Sequence, residues 1–181
     1  MLITLEIGLF FMKQTKKLAR IALSGAFLFC TFYAFSNIIY LEAITLMVIA
    51  IALSYDTKDA LLSCLVFGCL LFMLQGPTLW NLAYVVIYPV YSLLTSLLKP
   101  FLRKHNIAIV LWGFILAFST GILLDLPFML VNKTVTIVYI ITSFKTSFIQ
   151  GVLCSIEIIT ILEPITKILD KIKGEQSEKE Y

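Results

Sequence analysis

The chain has 181 residues, is 60% hydrophobic and only 14% charged, and has a mean hydropathy of +0.99. Soluble domains hold about 45–50% apolar and roughly 25% charged residues, so this composition excludes an ordinary soluble fold and points to an integral membrane protein. A net charge of +3 is too small, and too unevenly distributed between loops, to suggest a nucleic-acid partner.

The first stretch, "MLITLEIGLFFMKQTKK", is not a secretory signal, because its positive charge follows the apolar run instead of preceding it. Residues 1–11 are too short to span and read as an interfacial segment; Met12 followed by "KQTKKLARIAL" also reads as a natural beginning. A spanning helix needs about 20 mostly apolar residues. Six segments qualify, at 18–36, 39–55, 59–76, 79–98, 107–131 and 146–169. Turn or charge chemistry separates them: "SYDTKD" after the second, "QGPT" after the third, "KPFLRKHN" after the fourth. The gap "VNKTVTIVYIITSFK" is long and half apolar, and is expected to fold back on the protein. The expected fold is an all-α, compact six-transmembrane-helix bundle over 18–172, after a cytoplasmic or interfacial segment 1–17 and before a polar, frayed cytoplasmic tail 173–181.

Basic residues orient the bundle. With the N-terminus inside, Lys13, Lys16, Lys17, Arg20, Lys58, Lys99, Arg103, Lys104, Lys167, Lys171, Lys173 and Lys179 fall on the inner side, twelve of fourteen, and only Lys133 and Lys145 fall outside. Both termini are therefore expected in the cytoplasm.

Ionisable groups inside a bilayer cost at least ~2.5 kcal/mol each on insertion scales, so each is a functional candidate. Glu42 and Asp125 lie in outer parts of spans, where headgroups or water could also meet them. Glu157 lies about eleven residues into the sixth span and should face a cavity or a partner, with Gln150 on the same helical face. Trp80, Tyr84, Tyr88 and Tyr91 recur at steps of four, four and three, with Asn81 beside the first. An interfacial aromatic belt explains Trp80. Tyr88 lies about 12 Å deeper at ~1.5 Å per residue, so the stripe is read as one face of a cavity open to the outside, kinked at Pro89.

Cys30, Cys64, Cys69 and Cys154 form no Cys-x-x-Cys pair and read as small core hydrophobes. His105, among Arg103, Lys104 and Asn106, reads as a solvated loop residue. No metal or other cofactor is expected, and an enzyme using Asp125 and Glu157 as an acid–base pair is disfavoured for want of a metal cluster or an activated nucleophile. In "ARIALSGAF", Ala22 and Ala26 stand four apart beside Ser24 and Gly25, spacing that lets helices approach closely in lipid.

On these residues the chain resembles the substrate-binding S component of energy-coupling factor (ECF) vitamin transporters. "ALSGA" is similar to the family's Ala-x-x-x-Ala seam, and "SNIIYLEAITLMVIAIALSYDTKDAL" to its first outer loop, second helix and acidic inner turn. "GPTLWNLAYVVIYP" resembles the entry to its fourth helix, and "WGFILAFSTGILLDLPFML" and "IQGVLCSIEIITILEPITKIL" its fifth and sixth. The resemblance implies capture of a vitamin or related micronutrient from outside, then delivery through a transmembrane coupling subunit and two cytoplasmic ATPases. ATP would be hydrolysed by those partners, since this chain has no Gly-x-x-x-x-Gly-Lys-Ser/Thr loop. It implies Ala22 and Ala26 at the coupling-subunit interface, and a pocket of Trp80, Asn81, Tyr84, Tyr88, Asp125, Gln150 and Glu157 capped by Asn37 and Tyr40. No motif distinguishes a flavin, pyridoxine, pantothenate, cobalamin or queuosine-precursor substrate; Asp125 and Glu157 suit a cation, whereas Lys133 and Lys145 suit an anion. The alternative reading is a small multispan membrane scaffold of the cell-envelope machinery.

Overall fold

The computed structural model describes residues 2–38 and 40–178, with side chains for 14–38 and 40–174. Met1, Ile39 and Lys179 lie outside the described residues, and with them the choice between Met1 and Met12. Every regular element among the described residues is helical: α1 Leu2–Phe35, α2 Ala43–Ser54, α3 Thr57–Gln75, α4 Leu79–Leu102, α5 Asn106–Asp125, α6 Lys133–Glu157 and α7 Glu163–Glu178. A 3₁₀ turn (Leu126–Leu130) follows α5, and a π-helical turn (Ile158–Leu162) joins α6 to α7. Four segments, Gln14–Phe35, Thr57–Gln75, Leu79–Leu102 and Asn106–Leu130, are long and apolar enough to cross a membrane.

The sequence AITLMVIAIALS has no polar face, and a helix that is apolar all round belongs inside. All twelve residues of α2 are buried, and it touches each of the other six helices. At ~1.5 Å per residue it is about 18 Å long, short of a hydrocarbon core of ~30 Å. The segment expected as a span over 39–55 holds a short helix enclosed by the others, apart from the four that are long and apolar enough to cross a membrane. Its C-terminal carbonyls cannot reach water, so basic side chains satisfy them: Lys99 Nζ donates to the Tyr55 carbonyl at 3.0 Å and Arg103 to the Leu53 carbonyl at 2.9 Å.

More basic groups gather at this end. The Asp59 carboxylate, fully buried in the first turn of α3, pairs with Arg20 and with Lys17 (3.0 Å) from α1. The Arg20 guanidinium lies over the Tyr55 ring. Arg103 also reaches Asp170 at 3.2 Å, and Lys173 bonds Asp56 at 2.8 Å, tying α7 to the same end. Asp56, in the turn between α2 and α3, is held below the usual carboxylate range chiefly by that Lys173 bond.

Two expectations, on the gap at 131–145 and on the cysteines, are corrected. The gap at 131–145 does not fold back: from Lys133 it is the first part of α6, because Asn132 caps the helix by accepting from the amides of Thr134 (2.9 Å) and Val135 (3.2 Å). Helix α7 continues past residue 173 to Glu178, and α1 runs unbroken from Leu2 past residue 17. Cys64 and Cys154 are buried as expected, but Cys30 and Cys69 are exposed, so only two of the four pack in the core.

Packing at the Ala seam separates two faces of α1. Gly25 faces inward, where a Cβ would stand 2.9 Å from the Ser63 carbonyl, so its absence lets α1 and α3 meet backbone to backbone. Ala22 is exposed and Ala26 half-buried on the outer face. His105 is exposed in the α4–α5 turn, as expected, with its ring against Phe101.

Candidate functional site

The bundle end opposite the basic cluster is built by turns whose chemistry is explicit. Gly76, with φ at 89°, stops α3 in a conformation that favours glycine. Thr78 then caps α4 by accepting from the Asn81 amide at 3.1 Å, and the Asn81 side chain donates back to the Gly76 carbonyl at 2.8 Å. This closed turn fixes where Trp80 and Tyr84 leave α4. Tyr40, with φ at 73°, bends the α1–α2 connection over the same end.

Two adjoining cavities open here. The larger, about 460 Å³, is walled by Trp80, Asn81 and Tyr84 of α4, Asp125 and Gly121 of α5, and Ser143, Ser147 and Gln150 of α6. The smaller, about 240 Å³, lies under the α1–α2 connection and is walled by Tyr40, Glu42, Tyr84, Tyr88 and Gln150. Phe32, Tyr84 and Gln150 belong to both walls, so the two cavities are neighbours across these three side chains. A volume of this order suits a small organic molecule.

The aromatic stripe divides along its length. The Trp80 ring, 46% exposed, packs on Phe128, and the Tyr84 ring stacks on Tyr88 with centroids 5.4 Å apart. Tyr91 turns inward and its hydroxyl meets Ser119 at 2.7 Å, so it belongs to the α4–α5 packing and lines neither cavity. Helix α4 stays continuous through Pro89.

The carboxylates are held differently. Tyr88 and Thr45 both donate to Glu42 Oε1, at 3.0 and 3.1 Å, leaving Oε2 without a donor among the described residues. Ser143 donates to Asp125 Oδ2 at 2.6 Å, and Asp125 Oδ1 likewise has no donor there. Glu157 is 9% exposed, and both its oxygens lack a hydrogen-bond partner among the described residues. It lies within electrostatic reach of Glu42, at the last α-helical residue before the π-turn. Such insertions recur at functional sites.

Of the residues singled out from sequence, the fold brings Tyr40, Trp80, Asn81, Tyr84, Tyr88, Asp125 and Gln150 to the cavity walls. It does not bring Asn37, which is exposed on the α1–α2 connection, or Glu157, which sits below. Sequence reasoning missed Phe32, Ser143 and Ser147, and weighed Glu42 without placing it at the site. Gly121 is a missed spacer: a Cβ there would stand 2.1 Å from Ser147 Oγ and 3.8 Å from Gln150 Oε1.

No known protein family matches the sequence, and neither a characterised protein nor a solved structure is detectably similar to it.

Proposed function

We propose that this chain is the substrate-capture subunit of an ECF-type importer in the bacterial cytoplasmic membrane, taking a vitamin-like molecule from outside and passing it to a coupling subunit and two ATPases. One observation carries the reading: a pair of adjoining cavities, walled by aromatic rings and hydrogen-bonding groups, at the end of the bundle away from the basic cluster. With the basic end in the cytoplasm, the cavities face outward and both termini lie inside.

The outer surface supports a bundle that crosses the membrane with more than its four most apolar helices. On α6 and the following turn, Ile137, Ile141, Phe144, Phe148, Val152, Ile156 and Ile159 form one exposed stripe at helical spacing, each 40% exposed or more. A stripe of that length is unfavourable in water and suited to lipid. The buried α2 is then the core around which the spanning helices pack. The outward-facing Ala22 and Ala26 remain the contact proposed for the coupling subunit.

Native mass spectrometry of the protein from its own cells tests the reading. A co-purified vitamin-sized mass, with ATPases in milder preparations, is the expected result. Lipid as the sole co-purified species, with cell-shape defects on deletion and unchanged micronutrient uptake, would favour the envelope scaffold instead.

A further inference from the structure

The sequence offers two opposed clues to the ligand: carboxylates that suit a cation, and Lys133 and Lys145, which suit an anion. The fold places only the first kind at the cavities. Glu42 lines the smaller and Asp125 the larger, and among the described residues no Lys, Arg or His lines either. Each carboxylate has one oxygen engaged by hydroxyls and the other without a donor. Asp125 is 7% exposed and lines the larger cavity, so its second oxygen is an acceptor available to whatever fills that space.

A second, independent feature is an unsatisfied polar group in the wall of the larger cavity. Ser147 is fully buried, lines the larger cavity, and its hydroxyl has no hydrogen-bond partner among the described residues. Gly121 opposite leaves the room this hydroxyl occupies. The rings of Trp80, Tyr84 and Phe32 line the larger cavity, and the last two also line the smaller; π faces attract cations and stack on flat rings.

We infer that the adjoining cavities select a flat heteroaromatic molecule that is positively charged at neutral pH, its charge answered by Glu42 and Asp125 and its ring held against Trp80 and Tyr84. An anion of the same shape would meet two carboxylates and no cation. This rests on the capture reading above and narrows its substrate class.

The test is the charge preference of the full chain in detergent micelles, read by tryptophan fluorescence and, in parallel, by calorimetry. The probes share one ring and nearly one size: 1-methylnicotinamide (cation), nicotinamide (neutral) and nicotinate (anion). The cation should bind about tenfold or more tighter than the neutral probe, and the anion weakest. Glu42→Gln and Asp125→Asn should each shrink the cation's advantage about tenfold; if either variant fails to fold, the wild-type preference alone decides. Equal or tighter binding of the neutral or anionic probe overturns the charge assignment and leaves the capture reading in place. If none of the three binds, the charge of any co-purified molecule decides: a cation supports the inference and an anion overturns it. Absence of both probe binding and a co-purified molecule removes the capture reading as well.

Discussion

Replacing Asp59 with Asn should be the most destabilising conservative change at the basic end. Its carboxylate is 0% exposed and pairs with Arg20, whose side chain is 10% exposed, and with Lys17 at 3.0 Å. Asparagine keeps the shape and removes the charge, so the guanidinium keeps its desolvation cost without its principal countercharge. Breaking a buried pair from one side costs about 3–5 kcal/mol. For a chain of this size each kcal/mol shifts Tm by roughly 2–4 °C, so a fall of about 6–20 °C is expected. The assay is thermal unfolding in a fixed detergent, run as a double-mutant cycle with Arg20→Met. The double variant should lose less than the sum of the singles, because removing both charges also removes both desolvation costs. A fall below about 2 °C for Asp59→Asn, or strict additivity in the cycle, would refute the claim that this pair fastens α1 to α3.

Three further outcomes follow from the site and its surroundings. Tyr84→Ala removes a wall common to both cavities and should weaken ligand binding at least about tenfold by calorimetry, whereas Tyr91→Phe should leave affinity unchanged and cost about 1 kcal/mol of stability, the worth of its bond to Ser119. Ala22→Trp should spare binding by the isolated protein but block uptake in cells, because the residue is exposed on α1 away from the cavities; lost binding in the purified protein would contradict this. The tie between Lys173 and Asp56 should respond to acid: Asp56 is held below its usual range, so the contact is complete above the ordinary aspartate pKa near ~3.9 and is lost as pH falls through the depressed value. Hydrogen exchange in α7 should therefore stay slow from neutral pH down to about that ordinary value and speed up, beyond the intrinsic trend, only at lower pH; an acceleration already complete at neutral pH would contradict it.

Local chemistry made parts of this fold legible. "QGPT" announced the α3–α4 turn because Gly and a capping Thr act within a few residues of themselves, and the four-four-three spacing placed Trp80, Tyr84 and Tyr88 on one helical face. Spacing alone does not tell a cavity wall from a packed core, however. Tyr91 continues the same stripe, and only the arrival of Ser119 from α5 makes it a packing residue. Asp59 escaped notice for the same reason: Arg20 stands 39 positions away, and their pairing exists only once α1 and α3 touch at Gly25. The β-branched run after Asn132 obscured α6, although Asn132 itself, a good cap ahead of an apolar stretch, was the available signal. Glu42 was weighed as a headgroup contact because sequence places it near a span end; the shortness of α2 turns that end inward to Tyr88.

The central claim is that the adjoining cavities hold a small molecule, and native mass spectrometry of wild-type and Tyr84→Ala protein purified side by side tests it most directly. The account predicts a vitamin-sized adduct on the wild type, displaced on collisional activation, and its loss or sharp reduction on the variant. Equal adducts on both proteins, or lipid alone on both while added ligands leave the wild type unshifted, would contradict it.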